Sequence, residues 1–205
     1  MLPSGLTEDE FRARVREVND TTIGAIYKVL DELDAVVPKR LKVPKLACRP
    51  GCSICCNELV CVTLPEWGLI QDLLSEMDPD LALRRALDRG VEEFLRATDG
   101  GRRLTSDQRR FSRLFSGKPC IFLVQNRCAV YPARPLVCRT TFSTTRCRSL
   151  KQKGAGQMRF DYDVWANNLA MMSAARVQRA MAVIPIPHLV QQLLQAQPNL
   201  LRPNH

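Results

Sequence analysis

Histidine is nearly missing from this 205-residue chain, in which His188 and His205 are the only two. Imidazole can therefore contribute little to any metal site, and His188, directly after Pro187 at a helix start, reads as a capping or core residue. Aromatic residues make up only 6% and never alternate with basic ones, so a surface that stacks on nucleic-acid bases is not suggested. Long hydrophobic runs are absent too. AVIPIPHLV is among the longest and falls far short of a bilayer span. The first twenty residues mix acids with bases and carry no apolar signal core. A soluble, cytoplasmic protein without a membrane partner is expected. There is no glycine-rich nucleotide loop, no internal repeat and no low-complexity tract.

Cysteine, by contrast, is abundant. Nine are present, and four fall within nine positions, CRPGCSICC, at 48–56. In a reducing compartment such thiols are metal ligands or reactive groups rather than bridges. The formal charge of +9 counts every thiol as neutral; eight thiolates around two divalent ions would bring it to about +5. The basic excess therefore overstates any pull on nucleic acid.

The pattern along the chain predicts a mainly α-helical protein with a small β-hairpin and a cysteine-rich metal-binding centre. Thr7 to Glu10 form a capping box, and Phe11, Val15, Val18, Ile23, Ile26, Leu30 and Leu33 recur at helical spacing, which predicts one amphipathic helix over 7–36. That stripe would pack on this domain, on a second copy or on another protein. Residues 38–47 read as a basic linker. After the first cysteine cluster come a short β-type run at 58–64 and a helix opened by Pro65, with Trp67, Ile70, Leu73 and Leu74 on one face. Further helices are expected from Asp80 to Thr98, from Thr105 or Ser106 to Gly117, from Asp161 to Met181 and over Leu189 to Leu194. Residues 120–131 predict a hairpin turning at Gln125-Asn126, and Pro135 can start a short helix carrying Cys138. The expected division is 1–46 as helix and linker, 47–140 as the metal-binding domain, and 141–205 as a basic loop and helices packed on it.

Within the first cluster, Pro50-Gly51 suit the centre of a β-turn that folds Cys48 toward Cys52, and Cys52-x2-Cys55 lets two sulfurs face one ion at about 2.3 Å. Cys55 and Cys56 are adjacent, and adjacent side chains usually diverge. The pair points to two metal centres side by side, a polynuclear cluster, or one spare thiol. Cys120, Cys128 and Cys138 are the second set of candidate ligands, and Cys147 is an eighth. Cys61, in an apolar run, reads as a buried structural thiol. Arg134 and Arg139, which bracket Pro135 and Cys138, are the better candidates among Arg49, Arg127, Arg134, Arg139, Arg146 and Arg148 to offset thiolate charge; Arg146 and Arg148 read as exposed.

Taken together, C-x3-C-x2-C-C at 48–56, P-C-x-F-L at 119–123 and C-x-V-Y-x-x-R-P-x-x-C-R at 128–139 resemble the YkgJ-type cysteine-cluster family, a zinc- or iron-chelating domain. The likeness spans roughly 48–140 and implies that Cys48, Cys52, Cys55, Cys56, Cys120, Cys128 and Cys138 bind an iron–sulfur cluster or zinc. The same domain occurs in flagellin lysine N-methylases, associated with an iron–sulfur cluster and S-adenosylmethionine, so the resemblance also implies a methylase-like enzyme as an alternative. Cys48, Cys52 and Cys55 match the cluster spacing of radical S-adenosylmethionine enzymes, but those need alternating strands and helices, which this chain lacks. A zinc-stabilised module binding nucleic acid or protein, drawing on Lys39–Lys45 and Arg146–Lys153, is a further reading. Metal delivery or redox sensing is another. No residue is assigned a catalytic role.

Overall fold

A computed structural model describes residues 1–44, 47–48, 51–77, 79–100, 114–149, 157–177 and 184–197. Among them are seven α-helices and three two-stranded antiparallel sheets, so the fold is mainly α, with the small hairpin expected.

The expected helix over 7–36 is two helices, α1 (Glu8–Glu17) and α2 (Thr22–Arg40). The break follows from side-chain competition with the backbone. Val18 turns extended, the Asp20 carboxylate accepts from the Thr21 N–H at 2.6 Å, and the Thr21 hydroxyl accepts from the Gly24 N–H at 3.2 Å, capping a new helix. Cap residues at 20–22 thus override an apolar spacing that continues across them. At its other end α2 runs through Pro38 to Arg40, four residues longer than the stripe, so the start of the expected linker is helical. The apolar stripe is consumed within this chain. Phe11, Ile26, Leu30 and Leu33 pack with Phe160, Tyr162, Ala166 and Ala170 of the C-terminal part in one core.

A second core is built by α3 (Leu64–Glu76), α4 (Leu81–Ala97) and the last helix. Thr63 and Glu66 form a capping box at the start of α3, with Pro65 in its first turn; Trp67, Ile70 and Leu74 are buried. Asp80 caps α4. The helix expected from Thr105 or Ser106 lies outside the described residues as far as Arg113. Strand β1 (Cys61–Val62) pairs with Ile184–Pro185, the last strand, which leads into Ile186–Ala196. No helix among the described residues is long and apolar enough to cross a membrane.

The hairpin is β2 (Leu123–Val124) and β3 (Arg127–Cys128), with Leu123 opposite Cys128. Gln125 and Asn126 both have positive φ, +48° and +61°, the signature of a type I′ turn. A 3₁₀ turn (Tyr131–Ala133) and the short helix α5 (Leu136–Arg139) follow, then β4 (Phe142–Ser143), paired with β5 (Gln157–Met158). The start of the expected basic loop therefore contains a strand, with Phe142 buried against Phe160. Helices α6 (Asp161–Val177) and α7 (Ile186–Ala196) complete the chain; the expected extension of α6 to Met181 lies outside the described residues.

Candidate metal centre

The two cysteine segments, more than sixty residues apart in sequence, are joined by backbone hydrogen bonds. The Cys120 N–H donates to the Cys56 carbonyl at 2.6 Å and the Gly117 N–H to the Asn57 carbonyl at 2.9 Å. The Ser53 hydroxyl donates to Asn126 Oδ1 at 3.2 Å, tying the first cluster to the tip of the hairpin. A third piece of chain enters from β4, where the Ala47 N–H donates to the Ser143 carbonyl at 2.8 Å and the Ser143 N–H donates to Cys48 Sγ at 3.2 Å.

Local geometry accounts for the positions of the thiols. Residues 53–57 wind as tight turns, with N–H to carbonyl bonds from Cys56 to Ser53 at 3.1 Å and Asn57 to Ile54 at 3.3 Å. In such a winding, neighbouring side chains are separated by about 100° rather than the near 180° of a strand. Cys55 and Cys56 accordingly stay within side-chain hydrogen-bond contact, where divergence was expected. Cys120 sits just before the hairpin, Cys128 ends β3 and Cys138 lies on α5. The Pro50 part of the turn expected between Cys48 and Cys52 lies outside the described residues, while Gly51 has the positive φ, +88°, that such a turn requires of glycine.

Backbone N–H groups point at sulfur in three places: Ser143 at Cys48, Phe122 at Cys120 and Val130 at Cys128. Each lowers the cost of a thiolate. The opposing effects are larger. Burial raises Cys48 and Cys128, and lifts Cys120 to about 11. Cys56 is raised first by its hydrogen bond with Cys55 and then by burial. Cys138 is raised by burial and by the neighbouring thiols Cys120, Cys128 and Cys55. These shifts share one origin, thiols crowded together in a half-buried place without enough positive charge. That is the chemistry a soft divalent cation would complete.

Arg134 supplies part of that charge. Its guanidinium lies 3.9 Å from the Tyr131 ring centroid, and it favours the thiolates of Cys128 and Cys138. Arg139 has a different role. It is buried, forms an ion pair with Asp31, donates to the Pro132 carbonyl at 2.7 Å and stacks 4.3 Å from the Tyr27 ring centroid, so it braces α5 against α2. Arg127, Arg146 and Arg148 are exposed, and Arg49 lies outside the described residues. Cys61 is in β1, opposite Pro185, and burial alone lifts it to about 11. His188 lies in α7, its ring 5.9 Å from that of Phe94 and its Nε2 3.2 Å from Gln192 Nε2.

No disulfide links the nine cysteines. Among the described residues no group of three or more Cys, His, Asp or Glu side chains is already drawn into a metal-holding arrangement; the thiols are gathered without being closed on one point. Glu66 was not singled out as part of this region. Its carboxylate, buried at the start of α3, accepts from the Leu136 N–H at 2.8 Å and so fixes the start of the helix that carries Cys138. The Thr63-x-x-Glu66 spacing signals its capping role; nothing local signals the contact with Leu136.

No curated protein and no solved structure shows a match to the chain. A family model does, over residues 47–159, more than half of the chain and all nine of its cysteines. With the thiols, their backbone donors and that match in hand, the chain belongs to the CxxCxxCC family, whose model is described as a "putative zinc- or iron-chelating domain".

Proposed function

We propose that the chain is a thiolate metal-binding protein in which Cys48, Cys52, Cys55, Cys56, Cys120, Cys128 and Cys138 together hold zinc, or iron as an iron–sulfur cluster. The observation that carries this reading is the set of backbone N–H groups of Ser143, Phe122 and Val130 directed at sulfur, because such donors stabilise and orient metal-bound thiolates. The donor set is soft, which suits zinc and iron and disfavours magnesium or calcium. Four-thiolate coordination serves both metals equally. The resemblance to the cysteine domain of flagellin lysine N-methylases, which are associated with an iron–sulfur cluster, tips the reading toward iron.

When bound, the metal would cross-link the first cluster, the hairpin and α5, and as an iron–sulfur cluster it would add one-electron capacity. Residues 47–140 would carry the centre, with 1–46 and 141–205 as the surrounding frame. The test is iron, zinc and acid-labile sulfide content, with an optical spectrum, on protein purified without oxygen. Iron with sulfide and broad charge-transfer absorption is the expected result; stoichiometric zinc without sulfide would make the centre structural. Protein carrying neither metal, and binding neither on reconstitution, would overturn the reading.

A further inference from the structure

We propose that the face built from the hairpin tip, the 3₁₀ turn and α5 docks an acidic segment of a protein partner, with Tyr131 and Val137 as its apolar anchors and Arg127 and Arg134 as its charged contacts. The proposal stands on charge, exposure and packing and does not depend on the metal-centre reading.

The positive charge of the chain has one source. Between Asp107 and Asp161 there are twelve Lys or Arg and no acidic residue, whereas the rest of the chain carries eighteen bases and twenty-one acids. The net charge of +9 is thus the surplus of one segment over a slightly acidic remainder. An acid-free stretch leaves its arginines nothing local to pair with. Arg139 reaches Asp31 on α2, but among the described residues Arg127 and Arg134 form no ion pair with a carboxylate. Charge of one sign left uncompensated on one face draws anionic partners. Four thiolates around a divalent ion would subtract about two charges and leave the segment positive.

The apolar anchors sit among these charges. Tyr131 is 53% and Val137 45% exposed. Both belong to one compact unit, because Arg139 of α5 donates to the Pro132 carbonyl at 2.7 Å and the Arg134 N–H to the Tyr131 carbonyl at 3.3 Å. The unit is fixed from beneath: Leu136 is buried in the first core, Ala133 in the second, and Glu66 accepts from the Leu136 N–H. Exposed side chains on a fixed backbone lose little freedom on docking. The Arg134 guanidinium, 3.9 Å from the Tyr131 ring centroid, is held by stacking rather than by a carboxylate, which leaves its donor fork suited to one from outside. Tyrosine and arginine are also the residue types that dominate binding energy at protein interfaces.

Phosphate would answer the same charge, but a nucleic acid also needs rings on which its bases stack. Tyr131 is the only exposed aromatic among the described residues of 114–149, and one of its faces is covered by Arg134. A second copy of the chain is disfavoured by the +9 that each would bring. An acidic protein segment with a large apolar side chain satisfies both the charge and the anchors.

The test is selection of short random peptides displayed on phage against the reduced full-length chain, followed by fluorescence anisotropy with the selected peptides. Those peptides should be rich in Asp and Glu and carry a Leu, Phe or Trp, and their affinity should fall at least tenfold between about 0.05 and 0.5 M salt. Tyr131→Ala should weaken binding at least tenfold and Val137→Ala, Arg127→Glu and Arg134→Glu at least fivefold each. Arg14→Glu, the same charge change on an exposed position of α1, should weaken it less than twofold. Urea midpoints of all variants separate lost docking from lost folding, and Val137→Ala and Arg127→Glu carry the test if Tyr131→Ala does not fold. Selection without acidic enrichment, or selected peptides that bind the face variants as tightly as the wild type, would overturn the proposal. So would a single-stranded RNA oligonucleotide that binds this face more tightly than the best peptide, or self-association abolished by Tyr131→Ala, which would give the face to nucleic acid or to a second copy.

Discussion

Glu66 is a carboxylate placed between two helix starts. One oxygen accepts from the Thr63 N–H at 2.9 Å and the Thr63 hydroxyl at 2.8 Å, the other from the Leu136 N–H at 2.8 Å. Its negative charge also suits the N-termini of α3 and α5. Glu66→Ala strands these buried donors and should cost about 2–4 kcal/mol in urea unfolding. Glu66→Gln keeps the shape but turns an NH2 toward an N–H on one side, and should cost about 1–2 kcal/mol. Equal, negligible effects of both variants would remove Glu66 from this role. Arg139 invites a similar comparison. Asp31 is 64% exposed, whereas the arginine side chain is 4% exposed, so Asp31→Asn should cost less than about 1 kcal/mol. Arg139→Lys loses the planar stack on Tyr27 together with the fork to Asp31 and Pro132 and should cost more. At this scale the sequence reveals side chains acting on their own neighbourhood, such as the capping boxes at Thr7 and Thr63. It does not reveal a carboxylate serving an N–H seventy positions away, or backbone donors such as Ser143, which leave no mark in residue type.

Gly90, in the middle of α4, carries a helix-propensity penalty that the packing explains. A Cβ there would lie 2.6 Å from Ile121 Cγ1 and 2.9 Å from its Cδ1, so the missing side chain lets α4 approach the chain next to Cys120. Gly90→Ala, which would stabilise a free helix by about 1 kcal/mol, should destabilise this protein by about 1–3 kcal/mol. In an Ile121→Ala background the penalty should vanish or reverse; a purely additive double-mutant cycle would contradict the contact. The hairpin turn offers the opposite sign. Gln125 sits at φ +48°, where asparagine is better suited, so Gln125→Asn should stabilise by a few tenths of a kcal/mol. Asn126→Gly would relieve the same strain but lose the bond from Ser53, and should gain less. Elements with dedicated punctuation were legible: the Gln125-Asn126 hairpin, the Pro135 helix start, the Asp80 cap. The single helix expected over 7–36 failed because apolar spacing survives across Asp20 and Thr21 while the backbone does not, and the two-residue strands β4 and β5 are too short to leave an alternation.

Among the described residues two large cores organise the fold, one from α1, α2 and α6, the other from α3, α4, α7 and the hairpin, with Leu69 of α3 packed against both and a small third cluster at Phe94 and Phe115. Cys120 and Cys128 lie against the second core, while Cys48 is held by β4, whose Phe142 belongs to the first. The candidate centre thus draws on both sides of the fold. The sequence shows which residue types can bind metal, yet their grouping depends on long-range pairings such as Cys120 with Cys56 that no local pattern encodes. The first core also holds a buried acidic group that no part of the metal site uses. Asp163, 1% exposed, accepts from the Phe160 N–H at 2.8 Å; burial, aided by the nearby Asp34 and Asp161, lifts its carboxyl to about 7. Asp34, which accepts from the Tyr162 hydroxyl at 2.9 Å, is raised by burial as well. In the unfolded chain an aspartate titrates near 3.9. The folded form therefore binds the proton more tightly, and the stabilisation from this group is complete below about pH 4, falls as pH rises, and is gone above about pH 7. Asp163→Asn keeps an oxygen for Phe160 and removes the charge. It should match the wild type near pH 4 and exceed it by about 1–3 kcal/mol at pH 8, read as the difference in urea midpoint between the two proteins at each pH so that any metal contribution cancels. A difference that stays constant from pH 4 to pH 8 would mean that Asp163 is not the group holding that proton.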